Sequence, residues 1–241
     1  MANSFFQFKQ FTIHQDHCAM KVTTDACLFG AWVADELMKG SDHNDMLDLG
    51  TGTGLLALMV AQKNPQSSID AVEIDKAAGE QAAANIAASP WNAHVKMING
   101  DARTILQGKK YGVIFSNPPF YENELASPDA GRILAHHGSE LNLHDVLKII
   151  KSQLQEDGRF FLLLPFKRIK ELELQLARHQ LYALKKVLVR QSTGHSFFRA
   201  MIEGKLSQSE PIQESEIAVQ TNNQEYTSAF TVYLKDYYLY L

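Results

Sequence analysis

Asn117, Pro118, Pro119 and Phe120 bring an amide oxygen, a proline carbonyl and an aromatic face together within four residues. Two acceptors match the two N–H bonds of an exocyclic amino group on a planar base, and the ring gives that base a surface to stack on. The apolar run Tyr111-Gly112-Val113-Ile114-Phe115-Ser116 in front of them reads as a short buried strand. Two consecutive prolines then remove two backbone donors and end the sheet. A plain strand-ending turn is the competing account, because Asn-Pro is ordinary turn chemistry.

Upstream, Asp45-Met46-Leu47-Asp48-Leu49-Gly50-Thr51-Gly52-Thr53-Gly54 runs into Leu55-Leu56-Ala57-Leu58-Met59-Val60-Ala61. A strand, a glycine-rich turn and an apolar helix in that order open a nucleotide-binding βαβ unit. Gly50, Gly52 and Gly54 give G-x-G-x-G, and Leu55 stands where a dinucleotide fingerprint has its third glycine, which argues against a nicotinamide cofactor. The next two strands, Ile69 to Asp75 and Val95 to Ala102, end in acids. Glu73 is placed to accept both ribose hydroxyls of a bound adenosine, and Asp101 to lie near its adenine amino group. A carboxylate at a strand end is also a common helix N-cap, and Asp75 reads as one, ahead of a helix from Lys76 to Ala88.

The elements that hold these residues follow from the rest of the chain. Phe5–Phe8 and Phe11–His14 suggest a short hairpin, and Thr24 offers an N-cap for a helix through Lys39 that Gly40 ends. Pro65 stops the helix after the glycine turn. The polar segment Tyr121 to Leu141 starts at the proposed reacting centre and reads as a substrate-side lid, since long loops of this kind are usually functional. Asn142 caps a helix carrying Leu143, Val146, Leu147, Ile149, Ile150 and Leu154, with Gly158 at its end. Arg159–Leu164 is a buried strand closed by Pro165, and Arg168 to His179 is a helix. Leu181–Gln191 and Phe197–Lys205 are strands joined by the turn-forming Ser192-Thr193-Gly194-His195.

The expected architecture is therefore α/β and Rossmann-like, a seven-stranded, mostly parallel sheet with helices on both faces and the last two strands an antiparallel pair. One domain over residues 1–241 is expected, with 1–40 as an N-terminal hairpin and helix extension, 45–205 as the core and 206–241 as a C-terminal segment. Ligands of such sheets sit outside the carboxyl ends of the strands, where the glycine turn, Glu73, Asp101 and Asn117 all fall.

A chain of 241 residues with 45% hydrophobic and 21% charged residues is ordinary for a globular protein. No apolar run is long enough to span a bilayer and the N-terminus has no signal-peptide pattern, so the cytoplasm is the expected compartment. Cys18 and Cys27 make no disulfide framework. His14, His17 and Cys18, like His136 and His137, lack metal-ligand spacing, so no metal is expected. A net charge of −4 gives no global nucleic-acid signature. A local basic face is available from Lys167, Arg168 and Lys170, then Lys185, Lys186, Arg190 and Arg199, with the N-terminal segment around Lys9 and Lys21 as a further candidate. A solvated helix and strand face is the bland alternative for each cluster.

Asp48-x-Gly50-x-Gly52-x-Gly54, Glu73, Asp101 and Asn117-Pro118-Pro119-Phe120 resemble the ordered motifs of class I S-adenosylmethionine (SAM) methyltransferases that methylate amino groups. The likeness extends over almost the whole chain. Phe8-Lys9-Gln10-Phe11, Cys18-Ala19-Met20-Lys21-Val22, Thr24-Asp25, Gly30-Ala31-Trp32, Ser89-Pro90-Trp91 and Tyr237-Tyr238-Leu239 are similar to segments of the bacterial tRNA1(Val) adenine-N6 methyltransferases. Many of those carry Tyr where this chain has Phe120, and either ring can stack. The resemblance implies SAM as cofactor and a tRNA anticodon loop as substrate, with the adenine beside the anticodon as target. It further implies Asn117, Pro118 and Phe120 as catalytic residues, and Asp48, Gly50, Thr51, Gly52, Gly54, Glu73, Ile74, Asp101, Ala102 and Asn117 as the cofactor-binding set.

Three other readings share part of this pattern. A ribosomal-RNA guanine-N2 methyltransferase carries a similar Asn-Pro-Pro-Phe motif, usually behind a duplicated N-terminal domain. A release-factor glutamine methyltransferase usually has a helical domain ahead of its glycine turn, whereas here the turn begins at Gly50. A non-catalytic RNA-binding protein on the same fold would be expected to have lost Asn117 or the glycines, and all are present.

Overall fold

The computed structural model describes residues 3–18, 20–40, 44–106, 108–118, 141–208 and 211–241. Pro119, Phe120, His136, His137 and the expected lid up to residue 140 lie outside the described residues.

The chain begins with a two-stranded antiparallel hairpin, β1 (Phe5–Gln7) and β2 (Thr12–His14), followed by α1 (Thr24–Met38). The core alternates β3 (Asp45–Leu49), α2 (Leu55–Lys63), β4 (Ser68–Glu73), α3 (Lys76–Ala87), β5 (Val95–Asn99), a single turn of helix α4 (Ala102–Ile105) and β6 (Tyr111–Ser116). After it come α5 (Leu143–Gln153), β7 (Leu154–Pro165), a short turn over Phe166–Arg168, α6 (Ile169–His179), β8 (Tyr182–Ser192) and β9 (Phe197–Lys205). The C-terminal segment adds β10 (Gln213–Gln220) and α7 (Ser228–Leu234).

All seven expected strands are found in one sheet, which carries an eighth, in the order β10-β8-β9-β7-β6-β3-β4-β5. The expected antiparallel pair is β8 with β9, and β9 is also antiparallel to β7. The added β10 lies parallel to β8. Gln213 to Glu216 are polar and exposed and only Ile217 and Val219 are buried, so periodicity did not mark this segment as a strand. Because β9 reverses against both neighbours, β8 and β10 run in the same sense as β7. The carboxyl ends of β6, β7, β8 and β10 therefore share one edge, and β9 begins there.

Side-chain alternation divides the interior into two layers. Met46, Val113, Phe115, Phe161 and Leu163 face α1, α2 and α7. Leu47, Leu49, Ile114, Phe160 and Leu162 face α5 and α6. Every residue of β6 is buried, as its unbroken apolar run requires for a central parallel strand.

The expected cap at Thr24 is corrected, since Thr24 is the first residue of α1 and Thr23 stands at the cap position with no side-chain cap bond. Two other caps form where the sequence placed them. Asp75 accepts from Ala78 N–H at 2.8 Å and Asn142 from Asp145 N–H at 3.0 Å. The expected end of the Asn142 helix at Gly158 is corrected. The helix stops at Gln153, Leu154 pairs with Tyr111, and the register slips before Arg159 meets Val113. Gly158 lies inside that irregularity, where a Cβ would stand 2.8 Å from the Gly112 carbonyl oxygen. Close backbone approach, not helix termination, is what calls for glycine there.

Candidate active site

The glycine turn fills the gap between β3 and α2. Gly50, Gly52 and Gly54 all have positive φ (74°, 56° and 82°), a conformation glycine adopts without steric cost. No atom lies within 4 Å of where a Cβ would stand on Gly50 or Gly52, which leaves their backbone open to a ligand. Gly50 and Thr51 N–H donate to the Val72 carbonyl at 3.0 and 2.9 Å, and Gly52 N–H donates to Glu73 Oε2 at 2.9 Å. The other carboxylate oxygen of Glu73 accepts from Asp75 N–H at 2.9 Å.

Asp48 lies beneath the turn with 0% exposure. Its Oδ2 accepts from Thr51 Oγ1 at 2.6 Å and from Ala57 N–H at 3.1 Å, while Oδ1 is buried without a partner among the described residues. Burial pushes this carboxyl up to about 7. The bonds from Thr51 and Ala57 oppose the rise, and the charge of Glu73 adds to it.

Asp101 follows β5 and caps α4. It accepts from Arg103 N–H at 3.0 Å, and the Arg103 side chain donates to both carboxylate oxygens at 2.8 to 3.0 Å. That guanidinium holds the Asp101 carboxyl below the usual carboxylate range. The helix-cap account therefore holds for Asp75 and Asp101 alike.

One pocket at this edge is lined by Gly50, Thr51, Gly52 and Thr53, by Asn117 and Pro118 at the end of β6, and by Leu164, Pro165 and Arg199 from β7 and β9. Leu55 and Leu56 from α2, and Met20 to Thr23 with Asp25 and Ala26, complete it. The structure thus brings Asn117 and Pro118 to the glycine turn. Asp48, Gly54, Glu73, Ile74, Asp101 and Ala102 are not in that lining. Asp48 lies beneath the turn, and Glu73, Ile74, Asp101 and Ala102 occupy the neighbouring strand ends of β4 and β5.

Sequence reasoning missed the 20–26 segment as a wall of the site. Its position depends on Gln15, whose Oε1 accepts from Val22 N–H at 2.7 Å and whose carbonyl accepts from Lys21 Nζ. The hairpin is fixed in turn to α3. Asn85 exchanges hydrogen bonds with the His14 backbone and donates to the Thr53 carbonyl at 2.9 Å, and Gln81 accepts from His17 N–H at 3.0 Å. Glutamines and asparagines have no spacing signal of their own. Only the fold reveals these bridges.

Four cations of the candidate basic face have carboxylate partners. Lys185 is paired with Glu36 and Glu203, Lys186 with Glu173 and Glu214 (3.7 and 2.7 Å), Arg190 with Glu216 (2.5 Å) and Arg168 with Glu171 (2.7 Å). Glu171 on the same helix balances Arg168 and carboxylates from separate stretches of the chain balance Lys185, Lys186 and Arg190, so these four cations do not stand as a block of uncompensated positive charge. Arg199 instead turns to the pocket, its Nε donating to Asp25 Oδ2 at 2.6 Å.

Residues 30–173 match the family model of the methyltransferase small domain. A tRNA1(Val) (adenine(37)-N6)-methyltransferase of Bacteroides thetaiotaomicron is 36% identical over 242 residues, covering 100% of both chains. This chain belongs to the tRNA1(Val) (adenine(37)-N6)-methyltransferase family. Another member, from Dyadobacter fermentans, is 44% identical over 163 residues, covering 68% of this chain and 66% of its own. The fold matches the crystal structure of a "predicted O-methyltransferase" from Agrobacterium tumefaciens with a TM-score of 0.68 at 13% identity, over 88% of this chain and 96% of that one. Among the described residues, no group of three or more His, Cys, Asp or Glu could hold a metal ion, and no helix is long and apolar enough to cross a membrane.

Proposed function

We propose that this chain transfers a methyl group from SAM to N6 of the adenine at position 37 in the anticodon loop of tRNA1(Val), working in the cytoplasm as one methyltransferase domain over residues 1–241. The observation that carries this reading is the shared pocket. Asn117 and Pro118 line the same cavity as Gly50 to Thr53, in a chain whose whole length matches relatives bearing that activity in their names.

The residues present fit a SAM molecule. Gly50 and Gly52 present open backbone, with no atom within 4 Å of where a Cβ would stand, the Glu73 carboxylate ends β4 beside them, and the buried Asp48 Oδ1 lacks a donor among the described residues. When bound, SAM supplies an electrophilic sulfonium methyl group. Glu73 accepts from the ribose hydroxyls, with Ile74 beside it. Asp101 and Ala102, at the end of β5, take the adenine side. Asp48 and Thr51 hold the glycine turn in shape from below.

The exocyclic nitrogen of adenine is a weak nucleophile because its lone pair is delocalised into the ring. The Asn117 side-chain oxygen and the Pro118 carbonyl accept its two N–H bonds and favour a more pyramidal, electron-rich nitrogen. These bonds strengthen as positive charge develops on nitrogen, so they stabilise the transition state more than the ground state. Phe120 stacks on the base and fixes its plane. Holding nitrogen in line with the methyl group is a positioning task, and the proton released afterwards passes to water. A base in a single-stranded loop leaves its stack at least cost.

The test is to incubate the protein with isotope-labelled SAM and tRNA lacking the modification, and to analyse the nucleosides by mass spectrometry. Labelled N6-methyladenosine from the anticodon loop is the expected product. Label in guanosine, or label passed to a glutamine of a release factor in a parallel incubation read by peptide mass spectrometry, would replace this reading with one of its rivals.

A further inference from the structure

Beyond the base pocket, the same edge of the sheet carries an aromatic shelf that neither the cofactor nor the target base requires. Phe166 immediately follows Pro165, which lines the pocket, and Phe197 lies two residues before Arg199, which lines it too. Their rings pack together with centroids 5.4 Å apart, and the Arg190 guanidinium covers the Phe197 ring at 4.2 Å. Arg190 is itself pinned by Glu216 at 2.5 Å. The arrangement depends on an irregularity in the sheet. Val189 pairs with Arg199 but Arg190 pairs with Phe197, so Phe198 is an extra residue on β9. Phe198 packs against the interior, whereas Phe166 remains 37% exposed. Bulges beside a site commonly re-aim a side chain in this way.

We propose that Phe166 and Phe197, backed by Arg190, form a stacking platform for a base adjacent to the target adenine. The proposal rests on the reading of the pocket as a tRNA site. Once the target base enters the pocket, its neighbours in a single-stranded loop lose a stacking partner, and π faces next to the pocket mouth replace it. Stacking of this type tolerates any base, and the Arg190 guanidinium holds the Phe197 ring in place. Arg199 lines the pocket two residues after Phe197, and with its Nε held by Asp25 at 2.6 Å its guanidinium offers further N–H groups to the phosphate between the two bases. Continuity with the pocket picks out single-stranded nucleic acid as the occupant, since a protein partner here would block the base from entering.

The experiment uses the full chain, S-adenosylhomocysteine and an anticodon stem-loop RNA carrying 2-aminopurine next to the target adenine. Wild type is expected to change the 2-aminopurine fluorescence on binding. The Phe166→Ala/Phe197→Ala variant is expected to lose that change and to raise the KM for tRNA tenfold or more. Its kcat at saturating tRNA and its affinity for S-adenosylhomocysteine should stay within about threefold of wild type. Phe166→Ala alone, at the more exposed position, should give a smaller effect in the same direction and guards against misfolding of the double variant. Phe166→Trp should restore binding. An unchanged KM and fluorescence response in both alanine variants overturns the platform while leaving the methylation reading intact. A wild-type protein that methylates no tRNA overturns both.

Discussion

Gly52 N–H donates to Glu73 Oε2 across 2.9 Å and 21 residues of sequence, tying the glycine turn to the end of β4. The same carboxylate accepts from Asp75 N–H at the start of α3. Glu73 is therefore a structural clasp as well as the proposed ribose ligand, and its replacement touches both roles.

Glu73→Ala should weaken SAM and S-adenosylhomocysteine binding by on the order of 1–3 kcal/mol, through loss of charge-assisted hydrogen bonds. Glu73→Gln retains an acceptor for Gly52 and should bind better than the alanine variant. Titration calorimetry reads both. Equal affinity of Glu73→Ala and wild type would remove Glu73 from the cofactor site.

Asn117→Ala should abolish methyl transfer while largely preserving SAM affinity, because its amide acts on the target nitrogen. One lost transition-state hydrogen bond of this kind costs on the order of a hundredfold to a thousandfold in rate. Phe120→Tyr should remain active and Phe120→Ala should not, since stacking survives only in the first. Single-turnover kinetics beside equilibrium cofactor binding separates the two effects.

The Asp48 carboxyl, raised to about 7 by burial, makes stability depend on pH. The folded protein keeps this proton up to about pH 7, whereas the unfolded chain releases it near its ordinary value of about 4. Unfolding therefore releases a proton between those limits, and the contribution of Asp48 is full below about pH 4 and lost as pH rises through 7. In cofactor-free protein, wild type should lose on the order of 2–4 kcal/mol relative to Asp48→Asn across that window. Urea unfolding of both proteins at several pH values checks this, and parallel pH profiles would contradict it.

Arg159 is buried against Glu203 at 2.9 Å and donates to the Glu36 carbonyl at 3.1 Å, with Lys185 bridging the same two acids. Arg159→Leu leaves Glu203 buried with too little positive charge and should cost roughly 3–5 kcal/mol in stability. Arg159→Leu combined with Glu203→Leu should recover most of it. A double variant no more stable than the single one would show that packing, not charge, dominates there.

The sequence by itself determined what local chemistry dictates. Phe197–Lys205 was legible as a strand to the residue because its run is short and bounded by a turn composition. The Asp75 and Asn142 caps were legible because a cap acts on the next turn of its own helix. The G-x-G-x-G turn and the Asn117-Pro118 strand end were legible for the same reason. Tertiary structure decided everything that joins distant stretches. Gln213 to Gln220 became the eighth strand because β8 offered it an edge, not because of its own pattern. Lys185 and Lys186 read as free surface charge until Glu36, Glu203, Glu173 and Glu214 met them across the sheet. Asp25 and Arg199, 174 residues apart, share a hydrogen bond at the pocket. Pairings of this kind follow from the packing of whole elements, and residue type at a single position carries no record of them.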